Sequence, residues 1–408
     1  MPNSYNPNSM NSILQGERIV VGDHALVVDA DGRVLVGDAR PAAGDGIARA
    51  IARLVDDTVE ADAPERAITV DQTNTSVIVG ERLIVKLVGR WSAADRASAL
   101  LERLAAAGSD DVDRFVGRVE WRHPSLGTST LAVVTEYLPG AVDGWTWAVD
   151  DVVAALDGGP EPEWPALLGE RVARIHGVLG ESAVHSEPET PAARADRAST
   201  ALRSALRLSS GDAGARLRNR HESLARDIRS LDATAPGLEF PLHGDLHVGQ
   251  VLRSPDPGTG NGTGDGTHAA RYTVIDFDGD PQLALDEREA PDAAARDIAH
   301  MLVSFDLVAA VVQKRMQRAD ARAFAWSDRA RRDFLDAYRA HVPNGELIDE
   351  ALLPGFKPEQ LVAELRYADR FLPAWIYAPD AAITHRHPST NEHPEEPWTP
   401  PPFEPTSS

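Results

Sequence analysis

The sequence predicts an α+β fold in two parts, a β-rich first third and a larger helical remainder. Three observations predict it. Short apolar runs bounded by turn residues crowd residues 17–137. From about residue 141, Ala and Leu alternate with Arg and Asp at a period near 3.6. Two strand-like runs, 240–243 and 272–277, interrupt that helical pattern, and polar residues gather at their ends.

Taken in order, residues 1–15 are rich in Asn and Ser and read as disordered. Residues 18–21, 25–29 and 34–36 read as strands, with Asp31-Gly32 as a hairpin signal. Residues 44–56 repeat apolar positions at helical spacing. Residues 67–70, 76–79 and 82–88 read as a meander, followed by a helix over 92–107 with Ser92 at its start and a buried-type strand over 131–137. Helices are expected over 147–156, 163–180, 192–207, 215–233, 293–317, 327–341 and 358–370. Gly recurs at every second position from 258 to 266, the composition of a solvated insert. The resulting plan is a cap over 1–60, a β-rich lobe over 61–140, a mainly helical lobe over 141–385 and a Pro-rich tail over 386–408.

Lys and Arg total 41 against 63 Asp and Glu, a formal charge of −22. Such a chain repels a phosphate backbone, which excludes a general nucleic-acid binder, while a cationic small molecule is tolerated. There is no cysteine, hence no disulfide framework, zinc–thiolate site or cysteine nucleophile. No 18-residue apolar run occurs, and the polar N-terminus lacks a secretory pattern. No membrane association is expected, and a cytoplasmic monomer is. Only three basic residues are lysines, Lys86, Lys314 and Lys357, so each Lys needs a reason that Arg would not meet.

The densest polar cluster is His243-Gly244-Asp245-Leu246-His247-Val248-Gly249-Gln250. An Asp followed five residues later by an amide resembles the catalytic loop of protein kinases. There the carboxylate takes the attacking hydroxyl's proton and the amide oxygen binds Mg²⁺. Alone, Asp245 fits a turn cap equally well. His243-x-Asp245-x-His247 also fits part of a metal triplet, but no third His follows at a useful spacing for tetrahedral zinc. The second element, Val274-Ile275-Asp276-Phe277-Asp278-Gly279-Asp280, ends an apolar strand at a carboxylate and resembles the metal-binding Asp-Phe-Gly turn. Asp278 or Asp280 is either a second metal ligand or a turn residue. The third element is Lys86, inside the apolar strand 83–88, where a compact ammonium suits nucleotide phosphates. Its acidic partner is expected from the next helix, Glu102 or Asp95. The order of these elements favours catalysis.

On these residues the chain resembles the aminoglycoside-phosphotransferase-type, kinase-like sugar kinases of actinobacteria, the maltokinases and, more closely, the glucosamine kinases. The resemblance rests on 75–80 running into 85–87, on 136–145, 242–252, 275–281 and 296–302, and it spans about 70 to 305; the first 60 residues resemble the cap of that subgroup. It implies a bilobal protein-kinase-like fold with a β-rich N-terminal cap subdomain and a large helical C-lobe. It also implies ATP and Mg²⁺ as cofactors. Glu136 to Leu138 would be the hinge whose backbone meets adenine, and Thr73 to Ser76 would lie over the phosphates, although no Gly-rich sequence is present there. Residues 360–375 depart from the maltokinase pattern and are similar to the glucosamine kinases. Glu364 and Tyr367 share a helix face, Trp375 suits a sugar ring, and Glu364 or Asp297 suits the C2 ammonium of glucosamine. Trp145 and Trp147 read as core. The implied activity is ATP-dependent conversion of glucosamine to glucosamine 6-phosphate. The alternatives are a maltokinase, an aminoglycoside phosphotransferase and a non-catalytic sugar- or nucleotide-binding protein.

Overall fold

The computed structural model describes residues 11–68, 74–92, 96–255, 270–389 and 399. The early elements are β1 (Asn11–Gln15), β2 (Arg18–Val21), β3 (His24–Val28), β4 (Val34–Val36), α1 (Ile47–Val55), β5 (Glu65–Ala67), β6 (Thr75–Val79), β7 (Leu83–Leu87), α2 (Arg96–Ala106), β8 (Phe115–His123) and β9 (Gly127–Glu136). Next come α3 (Gly144–Leu156), α4 (Trp164–Leu179), β10 (Val184–His185), α5 (Thr190–Leu208), α6 (Gly211–Asn219), α7 (His221–Arg229), β11 (Leu238–Glu239), β12 (Val251–Pro255) and β13 (Ala270–Val274). The last are α8 (Leu285–Glu289), α9 (Ala295–Arg315), α10 (Ala321–His341), α11 (Leu353–Phe371) and α12 (Tyr377–Arg386). They fall into two compact units, Met1–Ala141 with Ser254–Phe277, and Val142–Arg253 with Asp278–Ser408. Residues 254–277, grouped with the helical lobe in the sequence plan, thus belong to the first unit.

The first unit is built on a six-stranded sheet of order β1–β8–β9–β7–β6–β5, in which β1 runs parallel to β8 and the other neighbours are antiparallel. Strand β7 alternates strictly: Leu83, Val85 and Leu87 are buried on one face, and Ile84 and Lys86 point to the other. The buried face shares one core with α1 and the small sheet β2–β3–β4, through Ile19, Leu26, Val34, Ile47, Ile51 and Val55. Helix α1 follows from its spacing: Ile47, Ile51 and Val55 recur every four residues and face inward. Each buried isoleucine contributes roughly 1.5–3 kcal/mol, so residues 19–55 are anchored to the sheet that carries Lys86.

Two readings of this unit are corrected. Residues 11–15, read as disordered, form an edge strand, because backbone pairing to β8 asks nothing of its side chains. Strand β8 was not anticipated, although Phe115, Val119 and Trp121 alternate with Arg118, Glu120 and Arg122 and the apolar set is buried.

The second unit is helical. Helix α9 is buried along almost its whole length, from Ala295 to Gln313, and packs against α3, α10, α11 and α12. A helix apolar all round belongs at a core centre; here it brings Asp297, His300 and Ser304 inward. The helix expected over 215–233 is two, α6 and α7. They break at Arg220 (φ −110°, ψ 0°), whose buried guanidinium donates to the Arg216 carbonyl at 3.0 Å. The Gly-rich stretch beyond 255, Thr73, Asp95 and the tail from 390 lie outside the described residues, save 399. Among the described residues, no helix is long and apolar enough to cross a membrane.

Candidate active site

In the first unit, Lys86 stands opposite Ser76 on β6 and Val133 on β9, so the three share one sheet face. Lys86 Nζ donates to Asp276 Oδ1 at 2.7 Å. Asp276 follows β13, and its φ of +66° lies in the left-handed region that non-glycine residues avoid. The approach to it is fixed by backbone bonds: the Val274 N–H donates to the Asp111 carbonyl at 2.9 Å, and the Asp113 N–H donates to the Val274 carbonyl at 3.3 Å. This pairing brings Asp113 into the electrostatic range of Lys86 and Asp276. Burial pushes its carboxyl up to about 6, against a hydrogen bond from Thr135, and its Oδ1 has no hydrogen-bond partner among the described residues.

At the end of β9, the Glu136 N–H donates to the Arg114 carbonyl at 2.9 Å, and its carboxylate accepts from Arg114 Nε at 3.0 Å. The Leu138 carbonyl accepts from the Ala141 N–H at 3.2 Å, whereas the Leu138 N–H has no partner among the described residues.

In the second unit, the loop bearing Asp245 turns at Gly244, whose φ is +87°. Behind it lies Asp297, with no exposed surface. Its two carboxylate oxygens accept the N–H groups of His243 at 2.8 Å and Gly244 at 2.9 Å. His176 Nε2 approaches it at 3.2 Å, with Nδ1 2.9 Å from the Tyr338 hydroxyl. Burial alone would raise this carboxyl, but the His176 hydrogen bond and the surrounding imidazoles bring it down to about 2. Further along, Ser304 accepts the Val248 N–H at 3.1 Å, and a 3₁₀ turn over Val248–Gln250 carries the Gln250 amide.

Two more carboxyl groups share the electrostatic surroundings of Asp245. Asp280 is pushed up to about 6 by burial and by Asp245, while the Gln282 N–H donates to it at 2.8 Å. Glu364 on α11 is pushed up to about 8 by burial and by Asp245; Gln360 Nε2 donates to it at 2.9 Å. Aromatic rings stand at the same loop. Trp145 stacks on His247 with ring centroids 5.8 Å apart, and Trp375 meets Trp145 edge-on at 5.2 Å.

No family model matches the sequence. A glucosamine kinase of Streptacidiphilus jiangxiensis is 39% identical over 341 residues, covering 78% of this chain and 73% of that protein. The chain belongs to the glucosamine kinase family. A second member, from Mycolicibacterium smegmatis, is 35% identical over 78% of each chain. Among solved structures, a glucosamine kinase in its crystal form B matches with a TM-score of 0.76 at 34% identity, covering 91% of this chain and 93% of that one. A glucosamine kinase in complex with glucosamine, ADP and inorganic phosphate matches with a TM-score of 0.73 at 34% identity, covering 90% and 87%. The α+β fold expected from the motifs is the fold these solved glucosamine kinases share with this chain.

Within this family frame the expected site residues divide. Lys86 and Asp276 meet directly. Asp245, Glu364 and, through Trp145, Trp375 belong to one neighbourhood. Tyr367 instead sets its ring against Phe371 at 5.2 Å on the half-exposed end of α11. Asp297, expected at the sugar, has both oxygens engaged by backbone and holds the Asp245 loop from behind. Glu102, expected beside Lys86, accepts from Arg118 Nη1 at 2.9 Å and from Asn11 Nδ2 at 3.2 Å. Trp147 is core, as read, and donates to the Val251 carbonyl at 3.0 Å. Trp145 is not core; its spacing two residues from Trp147 near a helix start hid a ring at the loop.

Taken singly, Gln250 in the second unit and Asp276 in the first each offer a hard oxygen of the kind magnesium prefers, and the Asp276 side chain is 39% exposed. Among the described residues no group of three or more His, Cys, Asp or Glu is arranged to hold a metal.

Proposed function

We propose that this chain transfers the γ-phosphoryl group of ATP to the 6-hydroxyl of glucosamine, as a cytoplasmic monomer. The observation that carries the choice of an amino sugar is the gathering of Asp245, Asp280 and Glu364. Asp245 raises the proton affinity of both Asp280 and Glu364, and a site so rich in carboxyl groups is poorly matched to a neutral sugar and well matched to an ammonium.

Asp245 orients the acceptor hydroxyl and takes its proton as the bond to phosphorus forms. Glu364 receives the C2 ammonium, Trp375 covers the ring, and Tyr367 stands at the rim. Lys86 anchors the non-transferred phosphates beneath Ser76, and the Leu138 N–H with the Glu136 backbone meets the adenine edge. Gln250 and Asp276 would hold Mg²⁺, which when bound neutralises charge on the phosphates. The residues act by position and electrostatics rather than by covalent chemistry.

A coupled ADP-release assay with glucosamine, glucose, maltose and kanamycin tests the reading, with product NMR to locate the phosphate. Glucosamine is expected to give the highest kcat/KM. Asp245→Asn is expected to lower kcat by roughly 10³-fold while ATP still binds. Faster turnover of maltose or kanamycin would overturn the substrate, and sugar binding without ADP release would overturn the activity.

A further inference from the structure

The loop over 243–251 is gripped from two helices. Helix α9 holds it through Asp297 and Ser304. The start of α3 holds it from another side. Asp143 caps that helix, accepting the Thr146 N–H at 3.0 Å. A Cβ at Gly144 would overlap the Val248 carbonyl, so the helix start lies directly on the loop backbone. A Cβ at Gly249 would overlap the Trp145 indole nitrogen and the His247 ring, so glycine there lets the two rings close on the turn.

This packing decides the chemistry of His247. The Gly249 N–H donates to His247 Nδ1 at 3.0 Å. A ring nitrogen that accepts a hydrogen bond carries no proton, so the proton of the neutral ring is on Nε2. That nitrogen is 3.9 Å from Asp245 Oδ2. The separation exceeds a hydrogen bond, but at that range an N–H dipole still orients a carboxylate. A cation in its place would draw proton affinity out of Asp245; a neutral N–H steers the group with less loss.

Resting on the phosphotransfer reading above, we propose that His247, locked by Trp145 and the Gly249 N–H, is a positioning residue: it aims a neutral Nε2–H at Asp245 and so sets the angle at which that carboxylate meets the acceptor hydroxyl. Trp145 acts through His247. Because Trp375 abuts Trp145, a sugar ring covered by Trp375 bears on the same stack.

His247→Asn separates this role from a merely structural one. An amide oxygen replaces Nδ1 as acceptor and keeps the turn, but nothing replaces Nε2–H. With glucosamine and ATP, this variant is expected to lose roughly 10- to 100-fold in kcat, with KM for ATP and Tm close to wild type. His247→Gln, whose amide N–H reaches the Nε2 position, is expected to recover part of that rate. Trp145→Ala should lose rate as His247→Asn does, Trp145→Phe should recover much of it, and the double variant W145A/H247N should be no slower than H247N. Wild-type kcat in H247N, a loss that follows Tm and is not recovered by H247Q, or multiplying losses in the double variant would overturn the proposal. If wild-type protein turns over glucosamine while H247N is unaffected, this role alone fails; if wild-type protein does not turn it over, the function fails first.

Discussion

Asp276 and Asp245 are both carboxylates on which the proposed transfer depends, and the molecule holds them in opposite ways. Asp276 belongs to the sheet unit, sits on left-handed backbone, is 39% exposed and bonds to a lysine that is itself 24% exposed. Asp245 belongs to the helical unit, on a loop three of whose backbone N–H groups end on the buried acceptors Asp297 and Ser304 and whose flank is covered by Trp145. On the proposed roles, the carboxylate beside the phosphate-binding lysine stands on an exposed turn, while Asp245, itself 22% exposed, rides on a loop whose anchors are buried. Pre-organisation is concentrated where orientation decides the rate.

The sharpest way to break this contrast is to remove one anchor from each region. Asp297→Ala strips the His243 and Gly244 N–H groups and His176 of a buried acceptor. Such losses cost about 3–5 kcal/mol, which lowers Tm by on the order of 10 °C in a unit of this size. Lys86→Ala should do the reverse: under about 1 kcal/mol of stability, as for partly exposed pairs, but roughly a 100-fold loss in kcat/KM for ATP. Thermal melts and ADP-release kinetics on both variants check this. An unshifted Tm in the first, or a collapsed one in the second, would remove the distinction.

A smaller effect concerns pH. Burial first, and Asp245 next, raise the Glu364 carboxyl to about 8 from an ordinary 4.5. A raised carboxyl binds its proton more tightly in the folded state. Its contribution to stability is complete below about 4.5 and disappears as pH rises through about 8. Asp280, raised to about 6, acts with the same sign. Melting temperature should therefore decline between pH 5 and pH 9, and Glu364→Gln should flatten the decline. A slope unchanged by the substitution would show that the charge of Glu364 is compensated elsewhere.

The smallest effect is expected at Glu102. Its partners are Arg118 and Asn11, so Glu102→Gln should leave KM for ATP within about twofold and cost under about 1 kcal/mol. A tenfold rise in that KM would restore the helix-borne partner first expected for Lys86.

These cases show what could be seen in the bare sequence. Lys86, Asp245, Gln250 and Asp276 each carry a local signature: an odd lysine in an apolar strand, an Asp and an amide five apart, a carboxylate ending a strand. Neighbours along the chain define those signatures. Asp297 shows the opposite case. At the start of an apolar helix it looks like a surface acid, and only packing against His176, 121 residues away, turns it inward. Asp113 sits before a strand with no pattern to mark it, and its surroundings arise from the pairing of Val112 with Val274. Choosing Glu102 failed for a related reason, since the next helix in order says nothing about which cation its acid will reach. Strand β8 is different again: its alternation was present and was overlooked.

The missing side chain at Gly144 has a practical corollary. Because α3 rests on the Val248 carbonyl with no room for even a methyl group, segments 143–147 and 243–251 form one indivisible cassette. Anyone moving this catalytic loop into another scaffold, or diversifying it in a library, must transplant both pieces together.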